Sequence, residues 1–214
     1  LQNKVFSILE KLNTGFYLTG GTALSRFYLH HRFSDDLDFF VNAHPDFKKI
    51  SETVEKSLSI EFGQQSEIGI TSETFNRFII HQPTCNLKID LVNDIPVYFG
   101  NPEKYELFSR IDNPMNILTN KIGALERSNP KDVSDILFLA EKYKFNWSEI
   151  IEKAKQKDMW VNPLDVSRVL DSFHIKLFEE IMWIKRPDYE SAYKKIKIIA
   201  RDIVMGADNS ILAK

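Results

Sequence analysis

The sequence predicts an α+β protein, with a mixed sheet flanked by helices in the first half and a helical region in the second. Short β-type runs at Leu37–Val41, Phe75–His81 and Leu87–Val92 carry the strand prediction. Interleaved segments place apolar residues three and four apart, as at Val5, Ile8, Leu9 and Leu12. From about Asn113 onward only the helical spacing remains. The expected organisation is an α/β core over residues 1–112 and a helical C-terminal region over residues 113–214.

Leu1–Leu12 is a helix ended by Asn13-Thr14-Gly15, and Phe16–Thr19 is a short buried strand. A helix begun directly at the glycine pair is expected over Thr22–His31, followed by the Leu37–Val41 strand. Phe47, Ile50, Val54 and Leu58 predict a helix over Phe47–Leu58. Ser59–Ile70 is a further strand candidate, weakened by its glycines. Gln82-Pro83-Thr84-Cys85-Asn86 then connects the last two strands as a hairpin. In the second half, Asn113-Pro114 and Asn129-Pro130 are turn signals. Val133–Tyr143 sets Ile136, Leu137, Leu139 and Ala140 on a core face, and Trp147-Ser148 opens a helix toward Lys155. Asn162-Pro163 reads as an N-cap with proline at the first helical position, leading Leu164–Phe173. Tyr189–Met205 is a long basic helix stopped by Gly206.

A net charge of −2 gives no global reason to expect nucleic-acid binding, so any basic patch must be local. The single cysteine, Cys85, leaves no intramolecular disulfide framework, fits a reducing cytoplasm, and is expected to be structural or inert. No segment resembles a signal peptide, and no run approaches the ~20 apolar residues that span a bilayer. The expected location is the cytoplasm. With Leu1 and no initiator methionine at the start, a short N-terminal piece is expected to be missing or processed.

The chemistry is concentrated between Tyr17 and Phe40, in YLTGGTALSRFYLHHRFSDDLDFF. On a strand, alternate side chains share a face, so Asp36 and Asp38 project together while Leu37 and Phe39 enter the core. Adjacent carboxylates repel unless a cation sits between them. Gly20-Gly21 forms a turn that lets a phosphate approach the backbone. Asp90, in the middle of Lys88-Ile89-Asp90-Leu91-Val92, is a third carboxylate that is costly to bury alone. If its strand lies beside that of Asp38, the trio suits two divalent metals ~3.5–4 Å apart, with Mg²⁺ preferring such hard oxygen donors.

Gly20-Gly21, Asp36-Leu37-Asp38 and Asp90 together resemble the signature of the polymerase-β-type nucleotidyltransferase superfamily. GGTALSRFYLHHRFSDDLDFF is similar, more narrowly, to the AbiEii/AbiGii toxin family, whose pattern is a GG-T-x-L turn and helix followed by R-x-S-x-D-hydrophobic-D. Arg32, Ser34, Asp36 and Asp38 fit that pattern position by position. A downstream K-x-x-A-L-x-x-R and (K/R)-D-x-x-D-hydrophobic pair is matched by Lys121, Ala124, Leu125, Arg127, Lys131, Asp132, Asp135 and Ile136. The resemblance covers roughly residues 15–140.

The resemblance implies a polymerase-β-like fold and an enzyme that moves a nucleoside monophosphate from an NTP onto an acceptor hydroxyl. It implies the toxin of a bacterial toxin–antitoxin or abortive-infection system, with RNA (tRNA 3′ ends for some relatives) as acceptor and a cognate antitoxin as partner. Asp36 and Asp38 would then hold both metals and Asp90 the catalytic one. Gly20, Gly21 and Thr22 would meet the phosphates with N–H groups and a hydroxyl, Arg32 and Ser34 would touch phosphate or brace the Asp loop, and Lys121 would reach the triphosphate. Asp132 and Asp135 are catalytic or acceptor-positioning by resemblance, while their place after Asn129-Pro130 suits helix capping equally; Arg127 is a pairing partner for one of them.

Plainer readings stand beside these. Asp35 is an exposed loop residue, and His30 and His31 are helix-end residues without metal-ligand spacing. Trp147, Trp160 and Trp183 belong to helical cores. Lys194, Lys195, Lys197 and Arg201 form a solvated face or an RNA-binding groove. The rival functions are a small-molecule nucleotidyltransferase of the antibiotic-modifying kind and an inactive nucleotide- or antitoxin-binding module.

Overall fold

The computed structural model describes residues 1–83 and 86–212. Thr84 and Cys85, and with them the tip of the expected hairpin connection, lie outside the described residues. The chain divides into two units: Leu1–Ala23 with Ser34–Asn113, and Leu24–Phe33 with Pro114–Lys214.

In the first unit the order is α1 (Gln2–Leu12), β1 (Tyr17–Thr19), α2 (Gly20–Ala23), β2 (Leu37–Asn42), α3 (Phe47–Phe62), β3 (Ser66–Thr71), β4 (Phe75–His81) and β5 (Asn86–Asp94). Among the described residues the five strands form one mixed sheet in the order β1-β2-β5-β4-β3. β2 and β5 run parallel, and the other neighbours are antiparallel. The parallel pair needs a crossover, which α3 and the β3–β4 hairpin provide.

Period-2 alternation sorts the two faces. Leu37, Phe39, Ile89, Leu91, Phe78 and Ile80 are buried, while Asp38, Phe40, Asp90 and Arg77 lie on the half-exposed face. Phe6 and Phe108 close on Phe39, with ring centroids 5.7–6.1 Å apart. Each such aromatic removed from water contributes about 1.5–3 kcal/mol. This core pins the register, because a one-residue slip would turn every carboxylate of the opposite face inward.

The strand candidate beginning at Ser59 is shorter than expected. Val54, Leu58 and Phe62 continue the buried stripe of α3, so the helix runs to Phe62 and β3 starts only at Ser66. Its residues are mostly exposed at the sheet edge, with a bulge between Ile68 and Thr71.

The second unit contains α4 (Pro114–Ala124), α5 (Pro130–Lys142), α6 (Trp147–Lys157), α7 (Pro163–Asp171) and α8 (Tyr189–Met205). Asn129, Asn146, Asn162 and Asp188 each accept a backbone N–H at the start of a helix, which typically contributes about 1 kcal/mol apiece. Trp147 is fully buried at the foot of α6. The helix expected to continue to His31 instead widens into a π turn over Leu24–Leu29. Its wide closure is the His30 N–H to Ser25 carbonyl bond, and His30 ends it in the left-handed region at φ 51°. Among the described residues no helix is long and apolar enough to cross a membrane.

Candidate active site

The register of the sheet sets one transverse row of polar residues. Thr19 pairs with Asp38, Asp38 with Asp90, and Asp90 with Arg77, so β1, β2, β5 and β4 each contribute one member. Cross-strand partners share a face, and parallel neighbours stand about 4.8 Å apart, so Asp38 and Asp90 oppose each other directly. Asp36 precedes β2 by one residue, is half-exposed, and lies 4.0 Å from the Lys88 ammonium. Asp35 is exposed, as expected, and its carbonyl accepts from the Gln2 amide.

Gly20 stands against this row. Its φ of +70° lies in the left-handed region, and a Cβ there would come within 2.5 Å of Asp38 Oδ2. Glycine is therefore required on two counts, backbone conformation and room for the carboxylate. Thr22 is fully buried; its hydroxyl shares hydrogen bonds with the Ser34 hydroxyl at 2.9 Å and with the Asp36 carbonyl. These contacts tie the start of α2 to the loop that presents Asp36. Asp112, also fully buried, accepts from the Thr19 hydroxyl at 2.6 Å and the Tyr98 hydroxyl at 2.9 Å, anchoring the end of the row.

Arg77 was not singled out in the sequence, yet it is the row's cation. Its Nε and Nη2 donate to the two oxygens of Asp90 at 2.8 and 2.7 Å, a bidentate fork. The Asp90 bond holds the guanidinium above its ordinary pKa against the cost of burial, and the charges of Asp90, Asp36 and Asp38 add to it. Among the described residues no three His, Cys, Asp or Glu side chains stand together as a ready metal cage. What Asp90 holds is the Arg77 guanidinium, whose charge also feels Asp36 and Asp38. The donor set is all hard oxygen and already accommodates one positive charge, so its chemistry fits a divalent cation such as Mg²⁺. The signal for Arg77 was its position in FNRFIIH, on the same alternate face as Phe75 and Ile79, but only the register puts it opposite Asp90.

The remaining expected residues form a buried network in the second unit. Asp135 is fully buried and accepts from His31 Nε2, Arg32 Nε, Arg32 Nη2 and Lys121 Nζ, each at 2.8 Å. Two carboxylate oxygens offer about four acceptor positions, and here all are taken. Burial pushes the Asp135 carboxyl up, but Lys121, Arg32 and His31 outweigh it and hold the group well below the usual carboxylate range. Burial likewise opposes the Lys121 charge, but Asp135 and Asp132 hold its pKa above the ordinary value. Asp132 lies 2.5 Å from Lys121 Nζ and 3.7 Å from the exposed Arg127 guanidinium. Asn129 is the N-cap, accepting from the Lys131 N–H, and Asp132 is the acidic residue at the third helical position.

His31, read from sequence as a helix-end residue, is fully buried on Asp135, and burial is the main reason its pKa lies below the ordinary value. The π turn makes this possible, because the left-handed His30 lets the consecutive His31 and Arg32 both reach the same carboxylate. On α8, Lys194, Lys195, Lys197 and Arg201 are paired with Glu190, Glu141, Asp171 and Asp202.

Comparison with known proteins agrees with this architecture. Residues 6–203 match the family described as the nucleotidyl transferase AbiEii toxin, type IV toxin–antitoxin system. An uncharacterized protein from Aquifex aeolicus (strain VF5) is 31% identical over 146 residues, covering 66% of this chain and 66% of its own length. Among solved structures, a candidate nucleotidyltransferase from Helicobacter pylori aligns with a TM-score of 0.65 at 19% identity, over 94% of this chain and 92% of that one. MenT4, a nucleotidyltransferase toxin from Mycobacterium tuberculosis, aligns with a TM-score of 0.56 at 14% identity, over 94% of this chain and 82% of that one. At these identities the structural likenesses show the fold.

Proposed function

The chain belongs to the AbiEii nucleotidyltransferase toxin family of type IV toxin–antitoxin systems, and from that premise we propose that it transfers a nucleoside monophosphate from an NTP to a hydroxyl of RNA, with tRNA the favoured acceptor. The observation that carries this reading is the in-register opposition of Asp38 and Asp90 beside Gly20.

Asp36, Asp38 and Asp90 are the residues that would hold Mg²⁺, and two ions are proposed. When bound, such ions lower the pKa of an attacking hydroxyl and neutralise charge on the triphosphate. Asp90 is the proposed acceptor of the attacking hydroxyl's proton. The new bond forms between that oxygen and the α-phosphorus, and the bond to the departing pyrophosphate breaks. The backbone N–H groups at Gly20 and Gly21 are the proposed phosphate contacts, with Thr22 and Ser34 bracing the Asp36 loop. In the second unit Asp132 and Asp135 keep the Lys121 ammonium charged and fixed, which suits it to an anionic group. Arg32 and Asp135 are proposed as positioning residues within that network. Control by a cognate antitoxin follows from the same premise.

The test is to incubate the protein with each α-labelled NTP, Mg²⁺ and total bacterial RNA, beside an Asp38→Ala control. Label on RNA with the wild type alone supports the reading; label on no macromolecule with any NTP removes the RNA acceptor. A second reading, transfer to a small molecule, is favoured by the acid-paired lysines of α8, which leave that helix without a basic groove. Label on a low-mass product would select it.

Gly20→Ala supplies a narrower check. The left-handed conformation costs an L-residue about 1–2 kcal/mol, and the new methyl must also displace the Asp38 carboxylate. Gly15→Ala is the control, with φ +88° and nothing within 4 Å of its Cβ. Both variants are expected to lower Tm by ~2–8 °C in a thermal melt. Only Gly20→Ala is expected to lose transfer.

A further inference from the structure

The sheet face that carries the carboxylates also carries its own cation. We infer that Arg77 is a positioning residue that occupies the cation place at Asp90, so that the protein's guanidinium competes with a divalent ion for that carboxylate. The inference rests on the proposed metal-binding role of Asp36, Asp38 and Asp90.

Three observations carry it. First, the fork takes one acceptor position on each Asp90 oxygen, at 2.8 and 2.7 Å, so an ion that chelates Asp90 through those positions must displace Arg77, and one that uses a remaining position sits beside the guanidinium charge. Second, the Asp90 side chain is 14% exposed whereas that of Arg77 is 33% exposed, so the arginine is the more accessible partner. Third, Arg77 keeps a contact that does not depend on Asp90. Its guanidinium carbon lies 5.4 Å from the centre of the Phe75 ring, two residues earlier on the same face of β4. Its stem runs past Gly69, where a Cβ would stand 3.5 Å from Arg77 Cγ, so at that position the neighbouring strand presents no side chain to it.

Without Arg77, Asp38 and Asp90 would face each other as like charges in register, an arrangement that destabilises a sheet. With Arg77 in place that repulsion is partly offset and the ion meets a competitor. The same guanidinium, once displaced from Asp90, stays among the carboxylates as a positive charge free to meet an arriving anion. A purely structural cross-strand pair would make a different prediction: its loss would lower stability and leave cation affinity unchanged or weaker.

The experiment titrates Mn²⁺ into the full chain without nucleotide by calorimetry at neutral pH, for the wild type, Arg77→Gln, Arg77→Lys and Asp38→Asn. Arg77→Gln is expected to bind Mn²⁺ about tenfold more tightly, which corresponds to about 1.4 kcal/mol. Arg77→Lys keeps the charge without the planar fork and is expected to tighten binding by a smaller factor. Should Arg77→Gln fail to fold, the Arg77→Lys comparison carries the test alone. Affinity equal to or weaker than wild type in the Arg77 variants, with Asp38→Asn weakened, overturns the competition while leaving the carboxylate site standing. Mn²⁺ binding unchanged in Asp38→Asn overturns the metal site itself, and the role of Arg77 with it.

Discussion

Asp38→Asn is expected to abolish nucleotidyl transfer while leaving the fold intact. Asp38 is half-buried and directly opposite Asp90, with Asp36 two residues before it. Asparagine keeps the shape and one oxygen, but it removes the charge on which the proposed cation binding depends. Charge stabilisation by a bound ion is worth several kcal/mol in the transition state, so the expected fall in rate is at least ~10³-fold. Stability should move the other way or not at all, because the substitution relieves like-charge repulsion across the ladder. A pyrophosphate-release assay and a thermal melt on the same preparation check both halves. Retention of more than about a tenth of the wild-type rate would remove Asp38 from the chemistry.

Asp135→Ala is expected to fail by a different route, through stability. The carboxylate is fully buried beneath His31, Arg32 and Lys121. Removing it takes from the buried Arg32 the carboxylate it forks onto and leaves Lys121 with Asp132 alone, a change that costs about 3–5 kcal/mol. In urea the midpoint should fall sharply, whereas Asp36→Ala, at a half-exposed position, should leave it nearly unchanged. The same network makes a pH prediction. Asp135 is held well below its unfolded value of about 3.9, so its ionised form contributes stability at every pH above that value. That contribution is lost as pH falls below about 4 toward the depressed folded value. His31 acts in the same direction from higher pH: its folded pKa lies below the unfolded ~6.5, so protonating the unfolded chain already erodes stability under that value. A wild-type protein whose urea midpoint is flat from neutral pH into strong acid would contradict this network.

Much of this architecture was legible in the residues, and what was not has a physical reason. The alternation of Leu37, Phe39 and Val41 with Asp38 and Phe40 sorted the faces of β2 before any pairing was known. Asn129, Asn162 and Gly206 marked helix ends because their capping chemistry is local. Arg77 was not legible, because its meaning depends on which residue of β5 stands opposite it, and register is a tertiary property. His31 was hidden for a related reason. Its burial follows from a π turn, and nothing in SRFYLHH distinguishes that turn from an ordinary helix. The Gly20-Gly21 turn was read as room for a phosphate; that a Cβ at Gly20 would meet the Asp38 carboxylate depends on how β1 and β2 pair, and only the structure shows it. The segment Leu24–Phe33 groups with the later helices, although in sequence it lies between two elements of the sheet unit.

The most direct measurement compares the fate of two labels on one NTP, one at the α-phosphate and one at the γ-phosphate, in the presence of Mg²⁺ and purified tRNA. The carboxylate row as described should leave the α label on the RNA, release the γ label as pyrophosphate, and do neither in Asp38→Asn. A γ label appearing on the RNA, or α labelling that survives Asp38→Asn undiminished, would contradict it.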